Sequence, residues 1–215
     1  MIGLLTYDRP HKKTYDLACR LKTYGYETTL ILTEWIDRPK RHPLVQHRPE
    51  GYAPTPRQLA ASFGFYLGYY NELEFDEYII GGANVIPGLR AINSHPGYLP
   101  VARGLDSLKW SILYGLPIGV TTHYTTDEAD AGAMIKRRLV PLYYEDTFHS
   151  FAYRAYEIEL DLLIQSIGCE ETIEPDNFDM YGIGKVQKRM PPYLEVKMLA
   201  EFEKLRLKAK SRYEV

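Results

Sequence analysis

The sequence predicts an α/β fold: a mostly parallel central sheet covered by helices, followed by a short C-terminal hairpin and helix. Three observations carry that expectation. An apolar run at 2–6, a helical pattern at 14–24 and a second apolar run at 27–33 form a β-α-β opening, the unit from which parallel sheets are built. Short apolar runs at 78–80, followed by Gly81-Gly82, and at 91–94 have the length of strands buried on both faces. Beyond residue 169 a Gly-bearing turn precedes a charged helical segment.

In the first helix Leu17, Ala18, Leu21 and Tyr24 recur at helical spacing. Five prolines and dense charge make 37–56 a long surface loop, and 57–70 resumes a helical pattern rich in aromatics, expected to serve packing and interface surface. A helix is expected over 106–114, ended by Gly115, and strands over 118–124 and 134–139. Thr147 is the expected N-cap of an amphipathic helix over 148–167 that Gly168 closes, with Phe151, Ala155, Ile158, Leu162 and Leu163 inward. A turn near 181–184 and a helix from about 195 to 210 complete the chain.

With 215 residues, 45% of them hydrophobic, the chain is expected to form one main domain, 1–169, and an appendage, 170–215. A net charge of −2 offers no basic footprint for nucleic acid. Cys19 and Cys169 lack zinc-ligand or CxxC spacing and suit a reducing compartment. No charged leader with a long apolar core and no apolar run of about 18 residues is present, so the expected location is the cytoplasm, away from membranes.

The chemistry concentrates in Asn93-Ser94-His95-Pro96-Gly97-Tyr98-Leu99-Pro100. In an extended chain, residues two apart point the same way, so the Asn93 carboxamide and the His95 imidazole converge. Pro96 keeps His95 out of the helical region. Downstream, Gly119-Val120-Thr121-Thr122-His123 runs into an acidic loop, Asp127-Glu128-Ala129-Asp130-Ala131-Gly132. A carboxylate from that loop, with Asp130 the candidate, would orient the imidazole for acid–base work.

This ordered set, Asn-x-His-Pro with Leu-Pro, a helix carrying Trp110, Gly-Val-Thr-x-His and Asp-x-Gly, resembles the folate-dependent formyltransferase family, strongly over about 79–139 and weakly in the opening β-α-β. The resemblance implies a Rossmann-like formyltransferase core and a formyl group transferred from 10-formyltetrahydrofolate to an amine, with no metal. It implies that Asn93 stabilises the oxyanion, that His95 assists proton movement, and that Asp130 positions His95 and a water. The pterin would lie between Asn84-Val85-Ile86-Pro87, with Ile86 an apolar wall, and the loop Thr126, Asp127, Glu128 to Asp130.

The run from His95 through Gly104 is closer to the sugar-nucleotide members of that family than to the tRNA and purine enzymes. That implies a dTDP- or UDP-linked amino-dideoxyhexose acceptor, for a surface glycan. Only a short tail follows the core, where the tRNA enzyme has a barrel domain. The loop after the first strand lacks the glycines that form a backbone anion nest in the purine enzyme. Basic side chains would grip a diphosphate instead, making Arg9 and Lys12 candidates; the stretch Gln46-His47-Arg48-Pro49 resembles a His-Arg-Pro stretch of the sugar enzymes and adds His47 and Arg48, and the run from His95 through Gly104 adds Tyr98. In sugar-modifying relatives a tail hairpin and helix help form a homodimer. Here Tyr193, Leu194, Met198, Phe202 and Leu205 form an apolar stripe that suits either a homodimer or the chain's own core.

Plainer readings stand beside these. His123 reads as structural, Trp110 as core, Asp127 and Glu128 as solvated loop charges, and Arg103 as a loop anchor; Arg9, Lys12 and Lys13 read equally as surface charges. The competing functions are 10-formyltetrahydrofolate hydrolysis, formylation of a purine precursor or methionyl-tRNA, and a non-catalytic nucleotide-binding protein. Hydrolases usually carry an N-terminal regulatory domain, whereas this sequence opens on the first strand.

Overall fold

The computed structural model describes residues 1–37, 42–70, 74–173 and 184–213. Seven strands form one sheet in the order β3-β2-β1-β4-β5-β6-β7. The strands are β1 Ile2–Tyr7, β2 Thr28–Thr33, β3 Tyr66–Tyr69, β4 Glu77–Gly82, β5 Ile92–His95, β6 Gly119–Tyr124 and β7 Met134–Leu139. Strands β1 to β5 pair in parallel, and β6 and β7 add antiparallel on the β5 side.

The helices are α1 Lys12–Thr23, α2 Pro56–Phe63, α3 Ser107–Tyr114, α4 Phe148–Ser166 and α5 Pro192–Arg206. Thr147 caps α4 in a reciprocal pair with Ser150, and Thr55 caps α2 in the same way with Gln58. Leu17, Ala18 and Leu21 of α1 and Tyr156, Leu160 and Leu163 of α4 meet Leu4, Leu30, Ile79 and Ile92 of the sheet in the main core cluster, while Phe151, Ala155, Ile158 and Leu162 line a second one and Tyr24 is exposed. A smaller cluster, Leu5, Ile31, Ile80 and Ala91, lies beneath the loop residues Phe75, Ile86 and Leu89.

Two expectations change. The aromatic stretch 57–70 is not one helix: α2 stops at Gly64, which holds a left-handed φ of 69°, and Tyr66–Tyr69 becomes the edge strand. A Gly is the residue that reverses a chain there without Cβ strain. The C-terminal helix also starts earlier than expected, at Pro192, and ends at Arg206. It lies on the chain's own core, where Met198 and Phe202 are buried against Phe148 and Phe151 of α4. Leu194 and Leu205 pack at the margin of that cluster, and Tyr193 is exposed. The expected turn at 181–184 falls, apart from Gly184, outside the described residues.

Candidate active site

From β1 the chain moves outward through β2 to β3, then returns to the other side of β1 as β4. In open α/β sheets such a reversal leaves a crevice at the carboxyl ends of the two strands. A cavity of about 460 Å³ lies there, lined by Tyr7 at the end of β1, Gly81 and Gly82 at the end of β4, and Asn93 and His95 on β5.

Strand pairing converts sequence spacing into proximity. Asn93 stands opposite His123 and His95 opposite Thr121 in the antiparallel β5–β6 register, so all four side chains share one face. His95 is buried, and its Nε2–H donates to the Ala102 carbonyl at 2.7 Å. Nδ1 is therefore the nitrogen that titrates, and it stands 3.4 Å from Oδ1 of Asp130. Burial pulls the His95 pKa below its ordinary 6.5, against the opposing pull of Asp130.

Asp130 sits in the left-handed region at φ 51° and accepts the Gly104 N–H at 2.8 Å. Burial pushes its carboxyl up, but the His123 hydrogen bond, the charge of His95 and the Gly104 N–H outweigh it and hold the pKa at about 2. His123 does tie itself to the backbone, Nδ1–H donating to the Tyr124 carbonyl at 2.9 Å. Its Nε2 also lies 3.4 Å from the Asn93 amide nitrogen and 3.6 Å from Asp130. The solitary structural histidine expected from sequence thus touches two of the three candidates; register, invisible in a sequence, is what brings it there.

The glycines and threonine of the motif have steric reasons. A Cβ on Gly97 would stand 2.5 Å from His95 Nε2, inside the bond to Ala102. A Cβ on Gly132 would collide with the Tyr124 carbonyl, so only glycine lets the loop after Asp130 close on β6. Thr121 Oγ1 donates to the Gly97 carbonyl at 2.8 Å and accepts from the Leu99 N–H at 3.1 Å, fixing the turn behind His95.

The two stretches implied for the pterin lie side by side, joined by Gly88 N–H to Asp127 at 3.4 Å. Asn84 lines the main cavity, and Ile86 packs into the smaller core cluster. Val85 is exposed. Thr126 Oγ1 donates to the Glu128 carbonyl, and Glu128 borders a neighbouring cavity while pairing with Arg103 at 2.6 Å. Arg103 also donates to the Ala129 carbonyl, the anchoring role expected of it.

Of the acceptor candidates, Lys12, His47 and Arg48 line the cavity. Arg9 lies instead over the Trp35 ring at 4.5 Å, and Tyr98 under the Arg137 guanidinium at 4.0 Å; neither lines the cavity. Lys13, read equally as a surface charge, is buried in the lining of the cavity. It donates to Ser94 at 2.8 Å and pairs at 3.6 Å with the buried Glu159, which also holds Arg48 at 2.5 Å. Burial lowers the Lys13 pKa to about 8, leaving it charged at neutral pH. Burial, then nearby cations, lowers His11 to about 4 and His47 to about 3, so both are neutral there. The cleft's positive charge therefore comes from Lys12, Lys13, Arg48 and Arg189. Glu159 and Arg189 were not read from sequence, because their roles depend on α4 and the C-terminal strap folding over this site. Among the described residues no cluster of three metal-ligating side chains occurs, and no helix is long and apolar enough to cross a membrane.

Residues 79–167 match the formyl transferase family. The dTDP-4-amino-4,6-dideoxyglucose formyltransferase of Mycobacterium bovis is 35% identical over 83 residues, which are 39% of this chain and 36% of that relative. The chain thus spans about a third of that protein. A 4-N formyltransferase from Francisella tularensis shares the fold, with a TM-score of 0.57 and 15% identity, over 99% of this chain and 90% of its own. An N-formyltransferase from Helicobacter canadensis, solved with folinic acid and dTDP-3-aminofucose, superposes with a TM-score of 0.55 at 13% identity, over 82% and 67% of the two chains. The segment 79–167 that matches the formyl transferase family carries Asn93, His95 and Asp130 at the mouth of the sheet's crevice.

Proposed function

We propose that this protein transfers a formyl group from 10-formyltetrahydrofolate to the amine of a nucleotide-linked amino sugar. The observation that carries the reading is the convergence of Asn93, His95 and Asp130 on one cavity within the matched segment. In the proposed reaction the amine nitrogen attacks the formyl carbon, a C–N bond forms, and the carbonyl oxygen becomes an oxyanion that the Asn93 amide stabilises. Neutral His95 takes the amine proton at Nδ1, and the adjacent Asp130 carboxylate stabilises the imidazolium. The oxyanion then collapses to the carbonyl of the new formamide as the bond to the folate N10 breaks, and the His95 imidazolium returns its proton to that nitrogen. The donor is already activated, so the site's task is alignment and charge stabilisation.

The acceptor class is supported by the cationic lining, suited to a diphosphate, and by the amino-sugar substrate named for the Mycobacterium bovis relative. The folate and sugar nucleotide bound by the Helicobacter canadensis structure fit the same reading. A homodimer through the C-terminal helix would have to use its outer face, Tyr193 and Val196. The test is incubation with 10-formyltetrahydrofolate and a panel of dTDP- and UDP-amino sugars, with mass spectrometry of the sugars. One sugar gaining a formyl group is the expected result. Folate consumption without a formylated sugar would move the activity to hydrolysis or another amine.

A further inference from the structure

The main-chain groups that hold His95 and Asp130 lie close together in the chain. His95 donates to the Ala102 carbonyl, and Asp130 accepts the Gly104 N–H. Both groups belong to the loop between β5 and α3, so the pair is only as fixed as that loop. The C-terminal segment 184–190 lies against it. Gly184 N–H donates to the Pro100 carbonyl at 3.1 Å and Gln187 N–H to the Arg103 carbonyl at 3.0 Å, while Leu105 N–H donates to the Gln187 carbonyl at 2.9 Å. Gly104 and Gln187 thereby form a short parallel bridge. The segment is tied to α3 as well: Trp110 Nε1–H donates to the Lys188 carbonyl at 2.8 Å, and Asp106, just before α3, accepts the Met190 N–H at 2.9 Å.

The Arg103 carbonyl and the Gly104 N–H are the two ends of one planar peptide. Gln187 holds the carbonyl end and Asp130 takes the N–H end, so the peptide cannot turn about the chain without breaking both bonds. A carbonyl that accepts a hydrogen bond also polarises the N–H of its own peptide toward a stronger donor. That N–H is one of the groups that hold the Asp130 carboxyl at about 2. So close an approach of two main chains requires glycine at two points. A Cβ on Gly104, which holds a left-handed φ of 91°, would collide with the Gln187 main chain, and one on Gly184 with the Val101 carbonyl.

We propose that Gln187, acting through its main chain, is a positioning residue for the acid–base pair: it fixes the Arg103–Gly104 peptide, and that peptide fixes the Asp130 carboxylate against His95. The inference rests on the formyltransferase reading and deepens it. Asn93 and His95 have the β5–β6 ladder to hold them, whereas Asp130 stands in a loop. The bridge between Gly104 and Gln187 supplies the frame that the loop lacks. A residue beyond the matched region 79–167 thereby takes part in the chemical step without touching a reacting atom.

The test is a double-mutant cycle on kcat for formylation, with Gln187→Pro and Asp130→Asn made singly and together. Proline deletes the N–H that holds the Arg103 carbonyl. Val186→Pro is the control, because in an extended segment the Val186 N–H faces the opposite side. Gln187→Pro is expected to lower kcat about tenfold in the wild-type background, a coupling usual within one hydrogen-bond network, with the KM for folate unchanged. In the Asp130→Asn background the same change is expected to lower kcat less than about twofold, and Val186→Pro is expected to stay near the wild type. Where Gln187→Pro melts well below the wild type, Gly184→Ala takes its place in the cycle with the same expectation; it keeps every N–H, and its methyl group pushes the segment away from Val101. Equal losses in both backgrounds, an equal loss from Val186→Pro, or no loss from Gln187→Pro in a folded protein would overturn the inference and leave the formyltransferase reading intact. A wild-type protein that formylates no amine would remove that reading, and the inference with it.

Discussion

The two halves of the cleft are built differently. In the half proposed for catalysis, Asn93 and His95 on β5 face His123 and Thr121 on β6, their spacing following from the ladder itself, and only Asp130 comes from a loop. The half proposed for the acceptor stands on irregular segments, the loop carrying His47 and Arg48 and the segment 184–190 carrying Arg189, and these are held by buried charge: Glu159 on Arg48, Lys109 with Glu195, and Asp106 on the Met190 N–H. Groups that must be held in fixed geometry are better placed on strands than on loops. Recognition, which differs from one acceptor to another, sits on loops.

The largest expected effect breaks the catalytic half alone. His95→Ala is expected to lower kcat by about 10²–10⁴-fold, the usual range for losing a positioned proton acceptor, with the melting temperature and the nucleotide-sugar KM little changed. Steady-state kinetics beside a thermal melt check this. If KM rises and kcat does not fall, the division between the halves is wrong.

Next comes the frame of the acceptor half. Glu195→Ala leaves Lys109 charged and unpaired at a fully buried site and is expected to cost about 3–5 kcal/mol of stability. Replacing both partners by methionine removes the stranded charge, so the double variant is expected to regain most of that stability. It still lacks the hydrogen bonds that join Glu195 to the Leu44 N–H and Lys109 to the Val45 carbonyl, and its KM for the nucleotide sugar is expected to stay elevated while kcat is preserved. Chemical denaturation and kinetics on the two variants separate stability from positioning.

A smaller effect sharpens the comparison through pH. In the proposed reaction His95 works as the neutral imidazole, so activity is expected to be full above its pKa and to fall as the pH drops through it. Burial places that pKa below 6.5, and the acid limb of kcat is expected there. Asp130 is the largest of the groups that pull the value upward, so Asp130→Asn is expected to move the limb to still lower pH, together with a reduced plateau. A limb moving to higher pH would contradict the arrangement.

How far the sequence reaches follows the same division. Asn93, His95 and Asp130 could be singled out because strand alternation and Pro96 aim the first two and because all three occur in the order of the formyltransferase family; the structure brings them to one cavity. The edge strand β3 was not, because Tyr66–Tyr69 continues a helical apolar pattern past Gly64 and only pairing with β2 makes it a strand. Lys13 and Glu159 were not legible either. A charged residue in a sequence looks solvated, and these two are buried only because α1, α4 and β5 close around them. Arg9 carried the same mark as Lys12 and points elsewhere, over Trp35. Arg48 was suggested by its His-Arg-Pro setting, whereas its partner Glu159 lies more than a hundred residues away.

The central claim is that the Asn93 amide meets charge that exists only in the transition state. Single-turnover formylation of the accepted amino sugar by Asn93→Ala, beside 5-formyltetrahydrofolate binding to the same protein, tests it most directly. The account predicts a rate lower by about 10²–10³-fold, with folate affinity essentially that of the wild type. An unchanged rate, or a loss explained wholly by weaker folate binding, would contradict it.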